Sequence, residues 1–386
     1  MRNLDEETIM PFGSEPRQPG VGLALSGGGF RAVLFHCGTL IRLNQLGILS
    51  KLARVSSVSG GSIVAGVLAT RWPSLQIDPH DGFIGNLEDA VIEPLRAFTS
   101  ETVDVGVVLG GAINPFRTAG EELIRCYRKR LALGVKLREL GDQGPRFVFN
   151  STNYATGVTF RFSKPYCGDY RIGLMEEHDF DVAFAVGCSS AFPPVLAPIV
   201  VESDPSRFKK TKGANLWDDE DYRRRQHLAD GGVYDNLGLE TVWGRYETVL
   251  ASDAGKPFDF DPAAGGYLAD QLGRIRDIGL NQALALRKRM LIDAFQHQHG
   301  DAKGAYWGID TEIANYGLAD AIPVSARTSH EMAQIRTRLN RFSDAEQDRL
   351  INWGYAVCDA AIRKHVPQLV TRPGAPKQPR ERHPVS

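Results

Sequence analysis

The thirteen residues from Arg54 to Gly66, RVSSVSGGSIVAG, constrain the fold of this chain more than any other stretch. They read as a short apolar strand, a tight turn with a serine at its tip, and the start of a helix. A serine at such a tip is lifted out of the sheet plane with its hydroxyl exposed, the geometry of a nucleophile elbow. Gly60 and Gly61 carry no Cβ to block the approach of helix to strand. Ser59 is therefore the candidate nucleophile. The usual pattern is Gly-x-Ser-x-Gly, and here Ser57 stands at its first position. Serine and glycine also cluster in ordinary turns, so the elbow needs partners elsewhere in the chain.

Upstream, Val21-Gly22-Leu23-Ala24-Leu25 is a short apolar run of the kind found in buried parallel strands. It leads into Ser26-Gly27-Gly28-Gly29-Phe30-Arg31-Ala32 and then a helix. Val33, Leu34, Cys37, Leu40, Ile41 and Leu43 fall near helical spacing, and Gly47 is placed as the stop. The elbow helix runs on to Leu68. Strand, helix, strand, helix is the mark of a parallel sheet.

Residues 80–145 read as helical and irregular, with an amphipathic helix over Glu121–Leu133. Residues 103–113 are more apolar than a surface loop. They fit an acyl-pocket wall, a bilayer contact or buried core, and core is the expectation because apolar runs are mostly core. Residues 146–150 and 158–162 alternate like paired strands around a turn at 153–157. Asp181–Cys188 suggests a short helix. Residues 202–226 form a charged insert, expected to be a solvated loop, with a lid over the site as the alternative. Residues 248–253 read as a buried strand, 267–296 as a long helix and 305–313 as a late strand. The last helix opens on Ser343-Asp344-Ala345-Glu346, a capping box, and runs to Lys364.

The chain has 386 residues, 42% hydrophobic and 24% charged, with formal net charge -1. That balance argues against nucleic-acid binding, which usually needs a basic surface. The five cysteines are scattered without a Cys-x-x-Cys pair, as in a reduced cytoplasmic protein without a metal site. The polar N-terminus shows no secretory signal, and no run approaches the roughly 18 apolar residues of a membrane span. Any membrane contact is expected to be peripheral. Residues 1–19 read as a flexible lead-in, 20–370 as one domain and 371–386, rich in Pro and Arg, as a disordered tail.

The glycine run opens a helix, where unpaired N–H groups and the positive dipole end gather. Three glycines leave those groups open to a bound oxygen. In acyl transfer that oxygen is the tetrahedral oxyanion. Arg31 adds a charge that either steadies the loop or faces an anionic headgroup. Gly27-x-Gly29-x-x-Ala32 also fits a dinucleotide fingerprint, which wants an acidic residue about 20 residues on. No Asp or Glu occurs from Leu46 to Ile77, so that reading fails, and no Gly-Lys-Ser/Thr follows to make a P-loop. Asp230-Gly231-Gly232 lies 171 residues after Ser59 (230 minus 59). Aspartate before Gly-Gly is often only a turn former.

The three segments in this order, Ser-Gly-Gly-Gly-Phe-Arg, the Ser59 elbow and Asp230-Gly231-Gly232, resemble the patatin-like phospholipase family. Ser189-Ser190-Ala191-Phe192-Pro193 and Val233-Tyr234-Asp235-Asn236 are similar to that family as well, and the glycine segment is also similar to cytosolic phospholipase A2. The resemblance covers residues 20–255. It implies an α/β fold, a mostly parallel central sheet flanked by helices in a patatin-like three-layer sandwich. It implies a Ser59–Asp230 dyad without a histidine, oxyanion donors from Gly27, Gly28 and Gly29, and supporting roles for Arg31, Gly60, Gly61, Gly231 and Gly232. It implies an acyl-enzyme, no cofactor and no metal, and a lipid acyl hydrolase of phospholipase A type. The expected substrates are membrane phospholipids or other lipid esters, met by a cytoplasmic protein at the membrane surface. The departures are Ser57 for the first elbow glycine and Ala32 where many relatives have glycine. A ligand-gated phospholipase effector or lipid-binding regulatory protein is the alternative, since some bacterial members similar to this family are switched by nucleotide signals.

Other candidates read as structural. His36 is expected to be a packed or surface histidine. His297 and His299 do not share a helix face. Cys37 and Cys188 read as small buried apolar groups. The basic residues of the tail read as solvated, with an anionic membrane as the alternative.

Overall fold

The computed structural model describes residues 17–103, 118–262, 266–297 and 302–385. In chain order the main elements are β1 (Gln18–Leu25), α1 (Gly29–Gln45), β2 (Arg54–Ser57), α2 (Gly60–Arg71), α3 (Glu93–Thr99), α4 (Ala119–Arg130) and β3 (Arg146–Asn153). Next come β4 (Val158–Ser163), β5 (Cys167–Asp169), β6 (Gly173–Met175), α5 (Val182–Ser189), β7 (Ile199–Glu202), β8 (Phe208–Lys209), β9 (Arg225–Asp230) and β10 (Tyr246–Asp253). The chain ends with α6 (Leu268–His297), β11 (Lys303–Gly308), α7 (Ala326–Gln334) and α8 (Asp344–His365).

These strands form one mixed sheet of eleven, in the order β11-β10-β1-β2-β3-β4-β5-β6-β8, with β9 joined to β3 and β7. From β11 to β3 every pairing is parallel. Beyond β3 every pairing is antiparallel. Successive strand residues point to opposite faces, and β1 shows it: Leu23 and Leu25 enter the large core cluster, whereas Ala24 enters a second, smaller one. Helices α1, α2 and α8 contribute to the large cluster. Leu237, Val242 and Leu291 of α6 contribute to the smaller one. This is the three-layer arrangement that the sequence implies.

Helix α1 is buried along nearly its whole length. It crosses α8 in close contact, because a Cβ on Gly38 would strike the Ile351 carbonyl and one on Gly354 the Phe35 carbonyl. Only glycine at both points lets the two backbones approach so closely.

Three expectations need correction, and the lid alternative for the charged insert falls away. Residues 371–385 are placed against the body rather than disordered. Asn352 of α8 brackets Arg380, donating to its carbonyl (2.7 Å) and accepting from its N–H (2.9 Å). Arg42 donates to the Gly374 carbonyl (2.9 Å) and to buried Asp359 (2.6 and 2.8 Å). Composition hid this because the backbone partners of the tail sit on other elements. The charged insert is not a lid: β8 pairs with β6 at the far edge of the sheet, and Arg223 stacks over Trp217 at 4.0 Å. Strand β1 begins at Gln18, inside the expected lead-in, and the late strand ends at Gly308. Of the apolar run at 103–113, only Val103 is described. It is buried, and its N–H donates to the Leu339 carbonyl at 2.9 Å.

No helix among the described residues is long and apolar enough to cross a membrane.

Candidate active site

Strand β3 is the common neighbour that brings Ser59 and Asp230 together. β2 runs parallel to it and ends with Ser57 opposite Phe149. β9 runs antiparallel on the same side and ends with Asp230 opposite Ser151. The two strands therefore approach each other head-on, with Asn150 between their ends. Asn150 Nδ2 donates to Ser56 Oγ and to the Ser57 carbonyl, both at 2.9 Å. Its own carbonyl accepts from Ser189 Oγ (2.6 Å) and lies where a Cβ on Gly231 would fall.

Ser59 has φ 52° and ψ −119° at the start of α2. It is one of two non-glycine described residues at positive φ, the other being Ala132. Such a conformation costs on the order of 1–3 kcal/mol and persists only where neighbours hold it. The Ser59 N–H donates to the Ser189 carbonyl (3.1 Å), and its own carbonyl accepts from the Ser62 N–H (2.9 Å). A Cβ on Gly60 would meet the Gly29 carbonyl and one on Gly61 the Leu25 carbonyl, so both glycines are required by close approach. Ser57 keeps ordinary strand torsions, which is why no glycine is needed there. Its hydroxyl donates to the Val148 carbonyl at 3.2 Å.

Asp230 is 2% exposed. Burial pushes its carboxyl up to about 6, against the pull of hydrogen bonds from the Gly232 N–H (2.7 Å) and the Ser59 hydroxyl. A carboxylate that titrates there is a far better base at neutral pH than an ordinary aspartate. The Asp230 N–H donates to the Ala191 carbonyl (2.9 Å), and the Gly231 N–H to the Ser189 carbonyl (3.2 Å). The end of α5 thus ties the Ser59 turn and the Asp230 turn to one atom, the Ser189 oxygen. Sequence reasoning missed Ser189 and Asn150 as positioning residues. The only signal was the likeness of the Ser189–Pro193 segment.

The glycine loop lies against this pair, since a Cβ on Gly27 would stand 3.1 Å from Ser59 Cβ. One oxyanion assignment changes. The Gly27 N–H is already donated to the Asn236 carbonyl at 3.0 Å, so it is unavailable to a substrate oxygen. The N–H groups of Gly28 and Gly29 have no acceptor among the described residues, and neither does that of Gly60. Gly28 (φ 146°) and Gly29 (φ 57°) hold torsions that L-residues rarely adopt.

Arg31 turns away from the cavity. It is fully buried and donates to the carbonyls of Ala333 (2.6 Å), Ile335 (2.7 Å) and Ala254 (2.8 Å). It therefore steadies the loop and does not face a headgroup. His36 is buried beneath the loop, with Nε2 at 3.0 Å from the Ser26 carbonyl and Nδ1 at 2.9 Å from Ser252 Oγ. Burial pushes its imidazole down to about 4. Both ring nitrogens are occupied, so it is a packed histidine.

Ser59 and Asp230 open onto a cavity of about 880 Å³. Ile63, Phe192, Leu196 and Leu284 supply apolar wall; Lys256, Arg274, Arg276 and Arg338 supply positive charge, with Lys256 paired to Asp259 and Arg276 to Asp277 (2.7 Å) at the rim. Among the described residues no cluster of three or more His, Cys, Asp or Glu could hold a metal ion.

A family model described as Patatin-like phospholipase matches residues 23–243, more than half of the chain. The chain belongs to the patatin-like phospholipase family. Ser59, Asp230 and the glycine loop all lie within the matched span. Human GIVD cytosolic phospholipase A2 is similar in structure, at 14% identity over 92% of this chain and 60% of that chain, with a TM-score of 0.54. The same human protein in complex with methyl gamma-linolenyl fluorophosphonate gives 14%, 92%, 60% and a TM-score of 0.50. At such identity the likeness establishes the fold, and this chain spans about 60% of the length of that protein. No curated protein sequence is significantly similar to the chain.

Proposed function

We propose that this patatin-like protein is a phospholipase A-type acyl hydrolase working through a Ser59–Asp230 dyad. The observation that carries the proposal is the pairing of a strained serine with a buried aspartate whose carboxyl is raised by burial to about 6. Asp230 takes the Ser59 proton as Oγ attacks the ester carbonyl. The oxyanion then receives N–H groups from Gly28, Gly29 and Gly60. Asp230, now protonated, gives that proton to the leaving alcohol, and Ser59 retains the acyl group. Water attacks the acyl-enzyme, losing a proton to Asp230, and the tetrahedral intermediate collapses to release the fatty acid and return the proton to Ser59.

The apolar wall suits an acyl chain. Lys256 pairs with Asp259 and Arg276 with Asp277, and Arg274 and Arg338 add further positive charge at the cavity, which favours a lipid bearing phosphate over a neutral glyceride. The protein is proposed to act from the cytoplasm by peripheral contact with a membrane.

The test is hydrolysis of p-nitrophenyl butyrate and of phospholipid vesicles by wild type, Ser59→Ala and Asp230→Asn, with no other ligand added. Wild type should turn over both, and each variant should lose both while remaining folded by circular dichroism. Near-normal turnover by Asp230→Asn would overturn the dyad. Wild-type turnover only after addition of a nucleotide or partner would favour a gated effector.

A further inference from the structure

Helix α6 is built inside out over its N-terminal half. Leu268, Leu272, Ile275, Gly279 and Leu286 recur at steps of three, four and seven, so they form one stripe on the helix. That stripe faces solvent: Leu272 is 61% and Ile275 66% exposed. On the opposite face Arg274, Asp277, Asn281 and Leu284 line the cavity that holds Ser59 and Asp230. A helix that covers a soluble core puts its apolar stripe inward and its charges outward, whereas here an apolar stripe faces solvent while charged Arg274 and Asp277 share the inner face with Leu280 and Leu284.

The reversal is confined to one half of the helix. Further along, Leu291 and Ala294 are buried, and Lys288 pairs with Asp253 at 2.6 Å. The C-terminal half is thus anchored to the sheet, and the anchored part fixes which face of the N-terminal half looks outward. Tyr267, 81% exposed, directly precedes Leu268 and extends the apolar surface beyond the helix start. Exposed aromatic groups beside an apolar stripe are typical of elements that sit at the boundary of water and lipid.

We infer that the outer face of α6, with Tyr267, is the surface on which this protein docks onto a phospholipid bilayer. The inference rests on the reading of the protein as a lipid hydrolase. Two observations select a bilayer as the occupant. First, the face carries a cation at its edge: Arg289 is exposed without an ion-pair partner among the described residues, whereas Arg276 at the other edge is exposed but paired with Asp277 at 2.7 Å. Basic flanks beside an apolar stripe match lipid phosphates above acyl chains. Second, the face is continuous with the cavity, since the same helix forms both. An interfacial helix buries its apolar face roughly 5–10 Å into the headgroup boundary. A helix is about 10–12 Å across, so the cavity lies within about one helix diameter of the depth at which a phospholipid presents its ester groups. The helix also touches the opposite rim, where the Arg276 guanidinium lies 6.0 Å from the Phe192 ring centroid, and Phe192 and Val195 are themselves exposed.

Docking is measured without turnover by co-sedimentation of Ser59→Ala protein with mixed phosphatidylcholine and phosphatidylglycerol vesicles. Leu272→Asp/Ile275→Asp in that background should lower the partition coefficient by at least about tenfold, because two apolar side chains no longer enter the bilayer. In the Ser59 protein the same double change should leave hydrolysis of soluble p-nitrophenyl butyrate within about twofold, since neither residue lines the cavity. Leu272→Trp should add emission that shifts to the blue on vesicles beyond the change shown by the five native tryptophans. Unchanged vesicle binding by the double variant would overturn the inference. So would a dimer in sedimentation velocity that the double variant breaks while vesicle binding stays intact, since a second copy would then cover the face. Loss of soluble-ester hydrolysis in the unaltered Ser59 protein would overturn the proposed function instead.

Discussion

In the parallel half of the sheet, from β11 to β3, the strand ends deliver the Ser59 elbow and the glycine loop. In the antiparallel half, β9 delivers Asp230 from the opposite direction. The two halves prepare the two proposed reacting groups by different physics. Ser59 is prepared by backbone geometry, a positive φ held by the Ser189 carbonyl and by close-packed glycines. Asp230 sits in ordinary backbone and is prepared by burial, which raises its carboxyl to about 6. Geometry costs strain but is indifferent to pH, whereas burial of a carboxyl makes the site pH-sensitive.

The largest effect is expected from removing either reacting group. Ser59→Ala and Asp230→Asn should each lower kcat by roughly 10³-fold or more, and the double variant should be no worse than the more damaging single one, as for residues acting as a unit. Additive losses in steady-state kinetics would mean that the two halves contribute independently. Next, Gly28→Ala and Gly29→Ala should each lower kcat by about 10²-fold, through loss of a positioned N–H donor. Gly28 and Gly29 are strained for any other residue, so thermal melts must accompany the kinetics to separate misfolding from lost donors.

The pH response is smaller and belongs to Asp230 alone. The base must be ionised, so kcat/KM should fall by about tenfold per pH unit below pH about 6 and level off above it. A flat profile from pH 5 to 8 would remove the burial argument. The smallest effect concerns stability. The folded carboxyl titrates above its ordinary value of 3.8, so the folded state holds the proton more tightly than the unfolded chain. The contribution of Asp230 to stability is therefore full below pH about 4 and is lost as pH rises through about 6. Asp230→Asn removes that loss, and should stabilise the protein by about 1–3 kcal/mol at pH 8 and by little at pH 4, read from denaturant melts.

The same division governs what the sequence reveals. The parallel half is legible because its signals are local: an apolar run, three glycines and a helix in consecutive residues, then the elbow. The fold class follows from that alternation. Asp230 is legible as a motif, but its meeting with Ser59 depends on β9 running against β3, a pairing between distant segments. Non-local hydrogen bonds explain the misassignments. Gly27 reads as an oxyanion donor until Asn236 is found to occupy its N–H. Arg31 admits a headgroup role until three carbonyls from distant segments are found around it. Asn150 and Ser189, which hold the two strand ends in register, carry no pattern of their own. The tail at 371–385 reads as disordered because its partners, Arg42, Asp348 and Asn352, belong to other helices.

The central claim is that Ser59 reacts because Asp230 takes its proton. Labelling with a fluorophosphonate across pH, with the adduct mapped by mass spectrometry, tests it most directly. The account predicts a single adduct on Ser59, a labelling rate that rises with a midpoint near pH 6, and loss of rapid labelling in Asp230→Asn. An adduct on another residue, or undiminished labelling of Ser59 in Asp230→Asn, would contradict it.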